Sequence, residues 1–130
     1  MTTADPLQHI QRLAIDTAPF IYFIERHPAY LSQMRAVFER ITQGNLTAYT
    51  SVLTLTEVLV QPLQMHNQMI AESYRTILQH SAHLLLVSIT PDVAEQAAQL
   101  RAQYHLRTPD ALQVAAALSV GCDAFLTNDN

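Results

Sequence analysis

The chain has no lysine: its seven basic residues are Arg12, Arg26, Arg35, Arg40, Arg75, Arg101 and Arg107. That absence removes two function classes. A P-loop needs the lysine of its GK[ST] signature to reach the phosphates, and a response-regulator receiver needs a lysine beside its phospho-acceptor aspartate. Neither can be built here. Glycine is almost as scarce, with two in 130 residues, while apolar residues make up 49%. This composition argues against disorder and for a helix-rich single domain with a core of its own. The single cysteine, Cys122, cannot form an internal disulfide. It suits a small buried hydrophobe in a reducing cytoplasm. No apolar run approaches the roughly 18 residues of a membrane span. The start, MTTADPLQHI, has neither the basic nor the apolar region of a signal peptide. The expectation is a cytoplasmic protein with no membrane segment.

Positive charge is also in short supply. The formal net charge is −4, the wrong sign for holding nucleic acid by bulk electrostatics. Four of the eleven acids holding two divalent ions would cancel that −4 locally, and a polyanion could then approach.

What is present alternates strand and helix without linker or repeat. RLAID (12–16) reads as a short buried strand, and a helix begins near Pro19, whose fixed φ suits a first turn. Leu31, Met34, Val37, Phe38 and Ile41 fall at helical spacing, and Gly44-Asn45 ends that helix. LTAYT (46–50) is a second strand. In SVLTLTEVLVQP the stripe Val52, Leu55, Val58 and Leu59 predicts a helix, with Pro62 near its end. Residues 68–80 form another, carrying Met69, Tyr74, Ile77 and Leu78. LLLVSI (84–89) is strand three, and two TPD-led helices follow. Gly121 closes the second of them as a C-terminal cap, and DAFLT (123–127) is strand four. Strands joined by helical crossovers imply a parallel sheet covered on both faces. The expected fold is therefore a three-layer α/β/α sandwich around about four parallel strands.

Four acids stand where strands end or helices begin: Asp16, Glu57, Asp110 and Asp129. Sheet edges of this kind gather working groups, and crowded carboxylates stay ionised together only if a cation joins them. Oxygen donors without a Cys or His set point to Mg²⁺ or Mn²⁺. Asp16 alone reads equally well as a helix cap. A haloacid-dehalogenase phosphatase would need a second Asp at Ala18. Glu57 lies among residues expected to be buried or semi-buried, where a glutamate rarely sits unpaired. Asp110 follows Thr108-Pro109, read as cap and first helical residue, and the same tripeptide recurs as Thr90-Pro91-Asp92. A 3-2-1-4 strand order separates the two copies, placing Asp110 near Asp16 and leaving Asp92 to capping. Asp129 follows strand four in Thr127-Asn128-Asp129. Thr17 and Thr127 can orient waters or serve as cap and turn hydroxyls. Arg107 reads first as a solvated loop cation, with phosphate-steadying as the alternative. His80 and His83 lack a third ligand at zinc spacing, and Phe20, Tyr22 and Phe23 read as core and interface.

The segments IDTAPFIYFIE, TSVLTLTEVL, LRTPDALQVAAAL and FLTND resemble those of PIN-domain ribonucleases, above all the toxins of VapBC-type toxin–antitoxin pairs. The resemblance covers almost the whole chain. It implies a Mg²⁺- or Mn²⁺-dependent endoribonuclease acting on RNA, a homodimer, and neutralisation by a small cognate antitoxin. It maps the family's acids onto Asp16, Glu57, Asp110 and Asp129, and its polar residue before the last acid onto Thr127. Many relatives have Asn where this chain has Ala18. They also continue past the TND segment, so residues 1–130 read as one PIN-like domain shortened at its C-terminus or lacking a last strand. The alternative is a non-catalytic PIN-like interaction module. Alanine or lysine at one of the four positions would have favoured that module, and all four are acidic.

Overall fold

The computed structural model describes residues 7–127; Asn128 and Asp129 lie outside them. The elements are β1 (Arg12–Ile15), α1 (Thr17–Ile24), α2 (Leu31–Thr42), β2 (Thr47–Ser51), α3 (Val52–Gln64), α4 (Gln68–His80), β3 (Leu84–Val87), α5 (Pro91–Tyr104), α6 (Thr108–Ser119) and β4 (Ala124–Leu126). All strand pairs are parallel, in the order β3-β2-β1-β4. The order inferred from the sequence is the one observed. No helix among the described residues is long and apolar enough to cross a membrane.

Two cores sandwich the sheet. Leu13, Ile15 and Ala48 point to one side, where Phe20, Phe38, Val58, Tyr74 and Leu78 from α1–α4 bury against them. On the other side Val93 and Ala97 of α5 meet Ala111, Ala115 and Ala116 of α6. The alanines matter because a helix without bulk on its inner face can lie close to its neighbours. The α/β/α sandwich expected from the alternation is thus present.

Several local expectations shift. The first helix starts at Thr17 rather than near Pro19, because the Asp16 side chain already accepts from Thr17 N. The buried face of α3 is Thr54, Val58 and Pro62, so Val52 from the expected stripe is exposed. In α4 the buried residues are Ala71, Tyr74 and Leu78, and Met69 is 80% exposed. Thr90 caps α5 through Val93 N, as read. In α6 the cap position is Arg107 and Thr108 is already helical, so the second TPD copy is one residue out of step with the first.

The fully buried Tyr74 keeps its hydroxyl partnered by donating to Glu25. Burial, then that hydrogen bond, push its phenol well above the usual tyrosine range. At the sheet's amino edge, α6 ends in a Schellman turn: Cys122 N reaches Ala117 O at 3.2 Å and Gly121 N reaches Leu118 O at 3.1 Å. Gly121 has φ +68, the conformation this turn requires. Arg12 Nε donates to Val120 O at 2.8 Å, and its guanidinium lies 4.8 Å from the centre of the Tyr49 ring.

Asp123 joins the start of β4 to β1. Its Oδ2 accepts from Arg12 N at 2.9 Å and Gln11 N at 3.0 Å. These two bonds hold its carboxyl below the usual aspartate range. A group whose folded pKa is depressed contributes stability above its unfolded pKa of about 3.9 and loses it as pH falls through the folded value. Thermal melts of wild type and Asp123→Asn should therefore differ most near neutral pH and converge in acid. A constant gap down to about pH 2 would contradict the ionic origin.

Candidate active site

In a parallel sheet every strand delivers its carboxyl end to the same edge, and β1, β2 and β4 do so here. Asp16 is the residue after β1. It continues the ladder by donating from N to Leu126 O at 2.9 Å, while its side chain turns to two other partners. Oδ1 accepts from Thr17 N at 2.8 Å, capping α1, and Oδ2 accepts from the Thr127 hydroxyl at 3.0 Å. The cap reading of Asp16 holds, and the same carboxylate stands at the sheet's carboxyl edge beside Thr127.

Glu57 reaches the same edge from α3. It is exposed, not buried as the apolar sequence around it suggested. It sits one residue before Val58 on the rim of the helix, and the inward positions belong to Thr54 and Val58. Its Oε1 accepts from the Thr17 hydroxyl at 2.7 Å. Asp110 stands in the first turn of α6, where the N-terminal dipole favours its charge. Arg107 Nε approaches Asp110 Oδ2 at 3.3 Å. This exposed ion pair contributes little to stability, and Arg107 stays a largely solvated cation beside Asp110. Asp92 does not line the cleft described next.

Asp16, Arg107, Asp110, Gln113 and Thr127 line a cleft of about 440 Å³. Its continuation, about 240 Å³, adds Thr17 and Glu57. Three of the four predicted acids thus face one cavity, together with both threonines and Arg107. Asp129 lies outside the described residues. The donors suit a hard divalent cation in kind, being carboxylate and hydroxyl oxygens. Among the described residues, no three His, Cys, Asp or Glu side chains stand close enough together to hold an ion as they are.

From the cleft wall inward runs a set of polar residues that sequence reasoning did not pick out. Gln113 is 5% exposed and Thr54 fully buried. Gln113 Nε2 donates to Thr54 Oγ1 at 2.9 Å, and Ser51 Oγ donates to Gln113 Oε1 at 2.9 Å. Thr50 and Thr54 share a hydrogen bond of 2.7 Å. The available signal was Gln113 itself. It is the one polar residue in the otherwise apolar run ALQVAAAL, three positions after Asp110 and so on the same helical face.

A family model described as PIN domain matches residues 13–130. The chain belongs to the PIN domain family. No curated protein matches this PIN domain by sequence, but solved structures do by fold. A chain of the Rickettsia felis VapBC2 complex bound to a DNA fragment from its promoter superposes with a TM-score of 0.73 at 17% identity, over 92% of this chain and 89% of that one. VapC20 of Mycobacterium tuberculosis, described as a sarcin-ricin loop cleaving toxin, gives 0.74 at 16% identity, over 91% and 90%. A toxin–antitoxin complex from Klebsiella pneumoniae gives 0.68 at 22%, over 89% and 86%. At these identities the likeness is one of fold.

Proposed function

We propose that this PIN domain is a metal-dependent endoribonuclease and the toxin of a toxin–antitoxin pair. The observation that carries the reading is the meeting of Asp16, Glu57 and Asp110 on one cleft at the carboxyl edge of the sheet. Membership of the PIN family and the fold shared with VapC20 and two toxin–antitoxin complexes support it.

Asp16, Glu57 and Asp110 would hold Mg²⁺ or Mn²⁺, with Asp129 as a fourth ligand. Such an ion, when bound, polarises a phosphodiester and lowers the pKa of a coordinated water. The chain's own part is to bind and orient. Thr127 fixes the Asp16 carboxylate and Thr17 that of Glu57, by the hydrogen bonds described above. Arg107, its side chain 84% exposed at the cleft rim, offers a guanidinium to a phosphate oxygen. With so few cations, affinity for RNA is modest, and unpaired RNA, whose backbone can bend into a narrow site, is the preferred substrate. A cognate antitoxin is the protein partner and the cytoplasm the setting. A homodimer completes the reading; exposed Val60, Leu63 and Leu118 are apolar surface available to it, and a monomer mass in light scattering would remove the dimer.

Metal is tested by thermal melting. Mg²⁺ or Mn²⁺ should raise the wild-type melting temperature by linkage, Asp16→Asn should abolish the rise, and EDTA should stop cleavage of an RNA pool and leave earlier products with 5′-phosphates. No thermal shift together with EDTA-resistant cleavage would refute the metal-dependent mechanism. The second reading, an interaction module without turnover, predicts no cleavage under any of these conditions.

A further inference from the structure

We propose that Gln113 is a positioning residue for the cleft: its buried amide sets the Thr17 hydroxyl so that Glu57 is held facing the site. The inference rests on reading the cleft as a nuclease site, and adds to it a residue of the cleft wall that acts through Thr17.

The donors and acceptors fix a direction. A carboxylate accepts only, so the single hydroxyl proton of Thr17 goes to Glu57 Oε1, 2.7 Å away. Thr17 Oγ1 must then accept whatever else it bonds. Gln113 Nε2 lies 3.4 Å from it and 2.9 Å from Thr54 Oγ1, so the two amide protons serve the two threonines. Thr54 can pass its own proton to Thr50 at 2.7 Å. The amide cannot turn over freely, because Ser51 Oγ, itself accepting from Leu53 N at 3.2 Å, donates to Gln113 Oε1. A flipped amide would bring its oxygen up to Thr17 Oγ1, 3.4 Å away, whose only proton already goes to Glu57. The polarity therefore runs one way, from the floor of the sheet through Gln113 and Thr17 to a carboxylate on an exposed helix rim.

This arrangement answers a problem raised by Glu57 itself. Its side chain is exposed and long, and free rotation would leave it in its working rotamer only part of the time. The Thr17 hydroxyl is its one described hydrogen-bond partner. Thr17 is only partly buried, and the buried glutamine gives it a fixed reference. Gln113 joins three chain segments at this point: the end of β2, the first turns of α3 and the start of α1.

The test uses the full chain with Gln113→Leu, which keeps bulk and removes both donor and acceptor. Three-bond couplings at Glu57 should report one side-chain rotamer in wild type and rotamer averaging in Gln113→Leu. Turnover on RNA should fall by about 10–100-fold, the scale of a misplaced catalytic group. In a Thr17→Val background, Gln113→Leu should cause little further loss, since the second residue acts through the first. A merely structural role would instead give additive losses. Gln113→Met, closer in length and likewise without donor or acceptor, should produce the same averaging, which covers failure of Gln113→Leu to fold. A single Glu57 rotamer in every variant, or averaging already in wild type, overturns the inference. Absent cleavage by wild type would count against the nuclease reading alone, because the couplings decide the role of Gln113 without activity.

Discussion

Alanine at Asp16, Glu57 or Asp110 should lower RNA cleavage by at least ~100-fold, the scale of losing several kcal/mol of charge stabilisation at a reacting phosphate. The three act from different elements, a strand end, a helix rim and a helix N-terminus, so a shared loss would report the cleft and not one local defect. Asp16 needs particular care. Its Oδ1 caps α1, and alanine there removes a cap that stabilises a helix by about 1 kcal/mol. Asp16→Asn keeps an oxygen for Thr17 N and removes the charge. It should cost nearly as much turnover with less loss of stability. Asp92→Asn, in the other TPD copy, should leave cleavage unchanged. Equal cleavage by wild type and Asp16→Ala from identical purifications would identify a contaminating nuclease, and the interaction-module reading would stand in its place. Parity between Asp92→Asn and Asp110→Asn would mean the wrong copy had been assigned to the site.

Phe20→Ala should be the most destabilising single truncation, by about 3–5 kcal/mol. Phe20 has no exposed surface, and its ring centre lies 5.5 Å from that of Phe38. The alanine would leave a void among α1, α2 and the sheet in a place where Phe23 also packs on Phe38, at 4.5 Å. A domain of this size is stable by only about 5–15 kcal/mol, so a large share would go. Urea unfolding measures it: the midpoint should drop while the slope stays unchanged. A loss below about 1 kcal/mol would mean that α1 is not docked as described.

The sequence was most legible where periodicity and strand order did the work. The stripe of α2 and the strand order placed both the core and the sheet edge, and with them Asp16 and Asp110 on one cleft. It was least legible where a polar residue sat inside an apolar run. Glu57 looked buried because its neighbours are apolar, yet at 3.6 residues per turn the position before a buried valine can face water. Thr54 and Gln113 have the opposite character: nothing in their residue type says that they are buried. Their burial depends on partners 59 positions apart in the chain, which no local pattern contains. Thr108 reads as a cap from its place before Pro109, yet the two tripeptides start their helices one residue apart, and only Thr90 caps.

The bond from Thr127 to Asp16 spans 111 positions, and β1 takes one of its two neighbours from residues 124–126. During synthesis the N-terminal part of a chain emerges first and begins to fold. Here α1–α4 can gather on β1–β3 while the other side of β1 waits, unpaired, for β4. Until the ribosome has made Thr127, Asp16 has no hydroxyl to orient it and the cleft has one wall missing. A nascent chain, or one cut off anywhere before β4, is therefore an unfinished tool. The cleft is complete only once almost the whole of the described chain has been translated.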